Sequence, residues 1–158
     1  MKTAVTVNNT TKAAIDENLV KKAVKAVIAG EGDIVGPAAG AEVSIALISP
    51  ARIRQLNKMY RKHDTVTDVL SFGEEDDCGC DCGCSDGVVF LGELAICLQQ
   101  VKKDAKEARV SLEWELAWVV VHGVLHLFGY DHETGPDQAR EMREKEEFYL
   151  SKLKSVTS

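Results

Sequence analysis

The hydrophobic positions of this chain alternate between strand-like and helix-like spacing. Strands are predicted at residues 4–7, 42–48, 68–72 and 88–96, the last interrupted by Gly92. Helices are predicted at residues 16–29, 49–61, 99–109 and 111–128, with a final helix that begins at Pro136. The pattern indicates a single α+β domain over residues 1–158, in which a mixed sheet of about four strands packs with about five helices.

Several residues mark where these helices begin and end. Gly30 is expected to end the first helix, and Ser49 and Ser111 are expected to begin two others. Gly129 is expected to end the long fourth helix. The buried side of the last helix is predicted to consist of Met142, Phe148, Tyr149, Leu150 and Leu153.

The composition fits one compact domain. The 158 residues are 45% hydrophobic and 28% charged, which excludes global disorder and fibrous repeats. No apolar run approaches the ~20 residues of a membrane span. Residues 1–14 lack the continuous apolar stretch of a secretory signal. We therefore expect a cytoplasmic protein without a membrane partner.

The net charge of −6 arises in one segment. Residues 73–87 contain six acidic residues and no basic one, and outside them the two kinds are equal in number at 19 each. This acidic loop also holds four cysteines, namely Cys78, Cys80, Cys82 and Cys84. Such thiols can bind soft metals, but Cys₄ sites normally use two separated pairs. We favour a solvated loop without an ordered metal, and we expect the remaining Cys97 to be buried.

Three of the four histidines lie in one short segment, namely His122, His126 and His132. At about 100° per residue, His122 and His126 lie about 40° apart on one helix face. Gly129 can adopt a positive φ, and the resulting turn can bring His132 toward the other two imidazoles. Three imidazoles leave a fourth tetrahedral position open, which is typical of catalytic zinc. The spacing predicts one Zn²⁺ per chain at the end of the long helix.

Two other interpretations of this segment stay open. A zinc ion could have a purely structural role, ordering the last turn and helix. The spacing also equals that of the metallopeptidase motif His-Glu-x-x-His-x-x-Gly-x-x-His, but Gly123 replaces the glutamate that acts as general base. A peptidase would then need a base from elsewhere, such as Glu93 or Glu115. The glycine counts against peptide hydrolysis, whereas a His₃ site suits phosphoryl chemistry.

Residues 122–132, His-Gly-Val-Leu-His-Leu-Phe-Gly-Tyr-Asp-His, resemble the signature of the YbeY family of bacterial rRNA-maturation endoribonucleases. Residues 56–72 are similar to the family's Leu-Asn-x-x-Tyr-Arg-x-x-Asp-x-x-Thr-Asp-Val-Leu-Ser-Phe, and residues 91–96 to its Leu-Gly-Asp-Ile-x-Ile. The resemblance covers most of the chain from about Val43. It departs from the family at Gly73, which replaces a proline, at Glu93, which replaces an aspartate, and in the Cys-rich loop.

The resemblance implies a zinc-dependent endonuclease that acts on single-stranded RNA. Its work would be the maturation of the small-subunit rRNA 3′ end and ribosome quality control. The implied partners are rRNA, the ribosome and small-subunit assembly factors, and not DNA. The family's zinc ligands map onto His122, His126 and His132, and its functional arginine maps onto Arg61. A non-catalytic, zinc-containing ribosome-assembly factor is the alternative from another class.

Several neighbouring residues have candidate roles in such a site. A guanidinium can hold phosphate with two hydrogen bonds, so Arg61 is the predicted phosphate clamp. Further RNA contacts are predicted at Arg54, Lys58 and Lys62, although a solvated helix face is the simpler explanation for Lys62. Asp131 could either orient a ligating imidazole or occupy a turn at the helix end. We expect Trp114 and Trp118, four residues apart, to lie in the core rather than to stack on bases.

Overall fold

In the computed structural model of the protein, residues 2–32, 40–73, 88–131 and 135–153 are described. They form the predicted number of strands and helices. In chain order these are β1 (Lys2–Asn9), α1 (Glu17–Glu31), β2 (Gly40–Leu47), α2 (Pro50–Arg61), β3 (Val69–Gly73), β4 (Val88–Ile96), α3 (Leu98–Ala108), α4 (Leu112–Leu127) and α5 (Pro136–Lys152). The acidic loop predicted at residues 73–87 lies outside the described residues from residue 74 onward.

The strands form one mixed sheet in the order β1-β2-β4-β3. β1, β2 and β4 run parallel, whereas β3 runs antiparallel to β4 and forms one edge. Within that last pair, Ser71 lies opposite Leu94 and Phe72 opposite Glu93. The predicted α+β fold with a mixed sheet is confirmed. β1 is longer than predicted because it pairs with β2 along its whole length.

The two faces of the sheet have separate cores, because side chains alternate along each strand. Val43, Ile45 and Leu94 belong to the larger core, which also contains the buried sides of α1, α4 and α5. On the other face, Ile53 of α2 packs with Leu70, in a smaller cluster. Two adjacent residues of β3 therefore face different helices, with Ser71 on the α4 side and Phe72 on the α2 side.

Serine side chains begin α2 and α4, as predicted. The Ser49 hydroxyl accepts a hydrogen bond from the Arg52 amide at 3.2 Å, and the Ser111 hydroxyl accepts one from the Trp114 amide at 3.1 Å. α4 then crosses the sheet with half of its residues buried. In the described ranges, no single helix has the length and apolar composition of a membrane span, although α3 and α4, bent by 116°, would meet that criterion together.

The structure corrects three local predictions. Gly30 does not end α1 but lies inside it, where a side chain would collide with the ring of Tyr149. Gly92 does not interrupt β4; its φ of 145° accommodates a bulge in the pairing with β2. Phe148, predicted to be buried, is 51% exposed because it lies about 100–120° around α5 from Met142 and Tyr149.

Candidate active site

The C-terminal half of α4 carries two histidines that face each other. The Nε2 atoms of His122 and His126 are 3.1 Å apart, and the two rings meet edge to face. This proximity follows from their spacing of four residues, which stacks side chains on one helix face. Both imidazoles are partly buried. The His122 side chain is only 15% exposed.

Glu146 of α5 fixes the orientation of the His122 ring. One of its carboxylate oxygens lies 2.6 Å from Nδ1 of His122, and the other accepts a hydrogen bond from the indole Nε1 of Trp118 at 3.2 Å. Trp118 also stacks on the His122 ring, with 4.9 Å between centroids. With Nδ1 engaged by a carboxylate, Nε2 is the nitrogen that points toward His126. Carboxylates commonly hold metal-ligating histidines in this way.

The described donors fit a zinc ion. Two nitrogen ligands bound tetrahedrally at zinc distances are about 3.3 Å apart, close to the 3.1 Å between the two Nε2 atoms. His132, the predicted third ligand, lies outside the described residues. In the part of the chain that is described, no group of three or more His, Cys, Asp or Glu side chains could hold a metal. The ligand role of all three histidines therefore stays a prediction.

A sharp turn follows α4 and leads toward residue 132. Gly129 has a φ of 96°, and its surroundings would leave room for a Cβ, so the backbone conformation alone favours glycine here. The next residue, Tyr130, donates a hydrogen bond of 2.8 Å to the carboxylate of Glu31, at the end of α1. The turn is thereby attached to the main core.

Glu31 is a buried carboxylate with three partners. Besides Tyr130, the Tyr149 hydroxyl donates to it at 2.6 Å, and the Lys145 ammonium lies 3.0 Å away. Burial tends to raise the pKa of Glu31, but the hydrogen bonds from Tyr149, Lys145 and Tyr130 outweigh burial and lower it. The same burial, together with the carboxylate, raises the pKa of both tyrosines. The Glu31 carboxylate thus joins α1, α5 and the turn that follows α4.

Gly123 lies in the interface between α4 and the sheet. A Cβ at this position would come within 2.9 Å of the Leu94 side chain. The Gly123 carbonyl accepts a hydrogen bond of 3.0 Å from the hydroxyl of Ser71 on β3. A side chain at this position would require the end of the Leu94 side chain or the helix to shift.

Arg61 reaches the same strand from the other side. Its Nη2 donates a hydrogen bond of 2.6 Å to the carbonyl of Ser71, and its guanidinium lies 5.6 Å from the ring centroid of Phe72. Ser71 therefore contacts α2 through its carbonyl and α4 through its hydroxyl. The structure connects Arg61 through Ser71 to Gly123, the residue that follows His122.

The remaining basic candidates lie on the exposed surface of α2. Arg54 pairs with Asp64 at 2.8 Å, and Lys58 lies 4.0 Å from the same carboxylate. The hydrogen bond from Arg54 lowers the pKa of Asp64. Lys62 ends α2 with a left-handed φ of 60° and is exposed. Asp64 thus partly offsets the charge of the surface formed by Arg54 and Lys58, and their contact with RNA stays a prediction.

The two carboxylates considered as a peptidase base do not lie beside the histidines. Glu93 is exposed and follows the strand alternation onto the α2 side, since its neighbour Leu94 contacts α4. Glu115 lies about 10 Å along α4 from His122. Burial, Asp104 and Asp68 raise the pKa of Glu115. Neither position supports the peptidase interpretation.

Other predicted residues have simpler outcomes. Cys97 is fully buried, and Trp114 and Trp118 pack against the core, as predicted. Asp131 is partly buried, and its choice between the two predicted roles stays open. The four clustered cysteines of the acidic loop lie outside the described residues.

Glu146 is a residue of the candidate site that was not predicted, although the sequence contains a signal for it. On a helical projection, Glu146 falls between Leu153 and Leu150, within the stripe that also contains Met142 and Tyr149. These apolar residues are buried, and Glu146 is only 8% exposed. A carboxylate in the middle of an apolar stripe requires a buried partner. The histidines of α4 are the partners that the sequence offers.

Comparison with known proteins identifies relatives over most of the chain. The family model described as endoribonuclease YbeY matches residues 6–154. A protein of Roseiflexus castenholzii named endoribonuclease YbeY is 43% identical over 141 residues, covering 89% of this chain and 86% of the relative. The Aquifex aeolicus protein of the same name is 41% identical over 112 residues, covering 71% and 70% of the two chains.

A solved structure also matches the fold. The solution structure of a Thermotoga maritima protein superposes with a TM-score of 0.56 at 30% sequence identity. The match covers 92% of this chain and 86% of the other. The order of helices and strands is thus similar to that of an experimentally determined structure.

Proposed function

The chain belongs to the YbeY family of endoribonucleases, and from this premise we propose that it is a zinc-dependent enzyme that cleaves single-stranded RNA at the 3′ end of small-subunit rRNA. Membership in the family makes the protein an RNA-cleaving hydrolase of rRNA processing that depends on a metal. The identity of the metal, the single-strand specificity, the cleavage site at the small-subunit 3′ end and a role in ribosome quality control are the parts that we add.

The observation that carries the zinc proposal is the pair of Nε2 atoms 3.1 Å apart, with Nδ1 of His122 held by Glu146. His122 and His126 would hold the ion together with His132, which the turn at Gly129 is expected to bring toward them. When bound, zinc supplies a Lewis acid for the phosphoryl oxygens. Glu146 keeps the His122 ring oriented, with Nε2 toward His126.

Arg61 is the proposed phosphate clamp. Its hydrogen bond to the Ser71 carbonyl holds the guanidinium at β3, on the same residue whose hydroxyl contacts α4. The guanidinium fork can bind two phosphate oxygens and offset the charge that develops on them during cleavage. Arg54, Lys58 and Lys62 on the same helix would add weaker contacts to neighbouring phosphates.

The two alternative functions are less well supported. Gly123 disfavours a peptidase, because it replaces the general base of peptide hydrolysis and neither Glu93 nor Glu115 lies beside the histidines. A purely structural zinc does not account for Arg61 at the edge of β3 in a protein whose relatives are named endoribonucleases. We propose the cytoplasm as its location and the assembling small subunit as its partner, because rRNA maturation takes place there.

A cleavage assay distinguishes these functions. Zinc-loaded protein is incubated with an end-labelled single-stranded fragment of the rRNA 3′ end, with the same fragment in a duplex, and with casein. We expect cleavage of the single strand only. His126→Ala should abolish it, whereas His63→Ala, which changes an exposed histidine, should leave it intact. Specific RNA binding without cleavage would favour the assembly factor, and casein cleavage would favour the peptidase.

A further inference from the structure

The end of α2 and the loop after it expose an unusual amount of apolar surface. In the described ranges, Met59 is 65%, Tyr60 51% and Val66 38% exposed, all within eight residues of one another. Large apolar side chains exposed close together often mark a binding surface. Met59 and Tyr60 immediately precede the proposed phosphate clamp, Arg61.

The Tyr60 ring does not extend freely into solvent. It meets the ring of Phe72 edge to face, with 5.3 Å between centroids and an angle of 70° between the planes. The Arg61 guanidinium lies over the same Phe72 ring. Phe72 thus contacts both residues and holds the exposed tyrosine in a defined orientation, as expected for aromatic pairs of this geometry.

These three side chains lie at the outer edge of the sheet. β3 is an edge strand, and its Ser71 carbonyl holds Arg61 while the Ser71 hydroxyl contacts α4 beside His122. Tyr60 and Arg61 both contact the Phe72 ring. A strand of RNA whose phosphate is bound by Arg61 would therefore bring one of its bases next to Tyr60. Unpaired bases bind proteins largely by stacking on aromatic rings, and the ring plane of Tyr60 is fixed and half exposed.

We propose that Tyr60 is a base-stacking residue for single-stranded RNA, and that Phe72 positions it. This inference rests on the proposed function, since it takes the phosphate at Arg61 to belong to the RNA that is cleaved. Stacking is available only to an unpaired base, because a duplex buries both base faces. The site would therefore contribute to single-strand specificity without reading a particular sequence.

The test combines variants of Tyr60 with abasic nucleotides in the RNA. A single-stranded oligonucleotide is prepared as a series in which each position in turn lacks its base. KM and kcat are measured with the zinc-loaded protein, and Kd is measured by fluorescence anisotropy on ice, before cleavage is detectable. Tyr60→Leu should raise Kd and KM roughly tenfold while kcat changes little. Tyr60→Phe, which keeps the ring, should behave like the wild type.

The decisive result is how the two changes combine. At one position of the RNA, removal of the base should weaken wild-type binding roughly tenfold but should not weaken binding by Tyr60→Leu further. Phe148→Leu is the matched control, because Phe148 is also 51% exposed and lies on α5. It should change neither constant.

Three outcomes would overturn the proposal. The first is an unchanged Kd in Tyr60→Leu. The second is a loss of affinity in Tyr60→Leu, relative to the wild type, that is the same for the intact RNA and for every abasic oligonucleotide. The third is failure of the wild type to bind single-stranded RNA. The second of these would show that Tyr60 is only structural. Position-dependent binding without any cleavage would support stacking while the proposed endonuclease activity fails. If the wild type cleaves the RNA but the losses of affinity from Tyr60→Leu and from base removal simply add, the endonuclease activity is supported and stacking on Tyr60 is not.

Discussion

Nδ1 of His122 lies 2.6 Å from a carboxylate oxygen of Glu146, a residue of α5 that comes 24 positions later in the chain. The contact joins the last helix to the end of α4 and determines which nitrogen of the imidazole is available to a metal. The second oxygen of the carboxylate holds Trp118, which stacks on the same ring. Glu146 therefore orients the His122 ring directly, through Nδ1, and indirectly, by holding the indole that stacks on it.

We predict that Glu146→Gln weakens zinc binding by about 10–100-fold. The amide is nearly the same size as the carboxylate but has only one acceptor oxygen, so it cannot hold His122 and Trp118 through two separate oxygens. Zinc affinity would be measured by competition with a chromophoric chelator. Glu147→Gln, at the adjacent exposed position of α5, is the control and should bind zinc like the wild type. Equal affinities in the two variants would contradict the role of Glu146.

The sequence predicted the elements of this fold well, because each depends on a local pattern. Helix spacing and the serine caps located α2 and α4, and alternation located the strands. The predictions failed where a distant residue determines the outcome. The local pattern predicts a helix end at Gly30. The glycine is instead required because the Tyr149 ring, from a distant part of the chain, occupies the space of a side chain at this position.

The candidate site was predictable in the same uneven way. His122 and His126 are neighbours on one helix, so their spacing alone brings them together. The bond from Arg61 to Ser71 depends on how α2 packs against β3, and the bond from Ser71 to Gly123 depends on how α4 crosses the sheet. No local pattern contains either contact. For Arg61, only the family resemblance indicated a place near the histidines.

We predict that the wild type retains about one zinc ion per chain after dialysis and that His126→Ala loses it. Two remaining ligands on a helix end and a turn cannot complete a tetrahedral site. Metal content would be measured by atomic emission, with His63→Ala as the control. Stoichiometric zinc in His126→Ala would remove His126 from the ligand set. A higher wild-type content that falls when Cys78, Cys80, Cys82 and Cys84 are replaced by serine would indicate a second site in the acidic loop.

Glu31 should give the protein a stability that depends on acid. Its pKa is lowered in the folded state, so its contribution is present above the unfolded pKa of about 4.3 and is lost as the pH falls through the lower folded value. Near pH 7, Glu31→Gln should lower the free energy of unfolding by about 1–2 kcal/mol. The difference between the two proteins should shrink below about pH 4.

Urea denaturation followed by circular dichroism, at pH values between about 3 and 7, would measure this difference. The control is Glu107→Gln, since Glu107 is exposed on α3. It should track the wild type at every pH. A difference between Glu31→Gln and the wild type that stays constant down to the lowest pH would show that the charge of Glu31 does not stabilise the fold.

The acidic loop should be dispensable for folding and cleavage. Gly73, the last residue of β3, pairs with Gly92 of β4. Val88 lies four residues before Gly92 on β4, so it is about 13 Å from the end of β3. A linker of about six Gly and Ser residues can span that distance in place of residues 74–87. The acidic side chains should repel phosphate, so the shortened protein should bind RNA as well as the wild type or better. Loss of the cooperative thermal transition would show that the loop is needed for the fold.

Arg61→Ala should separate phosphate binding from metal binding. Arg61 is exposed, so its removal should leave the zinc content and the melting temperature near those of the wild type. The loss of one contact to the developing charge costs roughly 3 kcal/mol of barrier, which is about a hundredfold in rate. Single-turnover cleavage of the rRNA 3′-end fragment would measure this loss.

Two further variants test whether the shape of the guanidinium matters for this loss. Arg61→Lys keeps the charge but should recover little activity, because an ammonium cannot reproduce the planar fork that binds two phosphate oxygens. Arg54→Lys is the matched control on the same helix face. Arg54 contacts Asp64 and not Ser71, and lysine keeps the charge of its weaker phosphate contact, so this replacement should have little effect. Wild-type rates in Arg61→Ala would remove Arg61 from the site, and a parallel loss of zinc would make its contact with Ser71 structural.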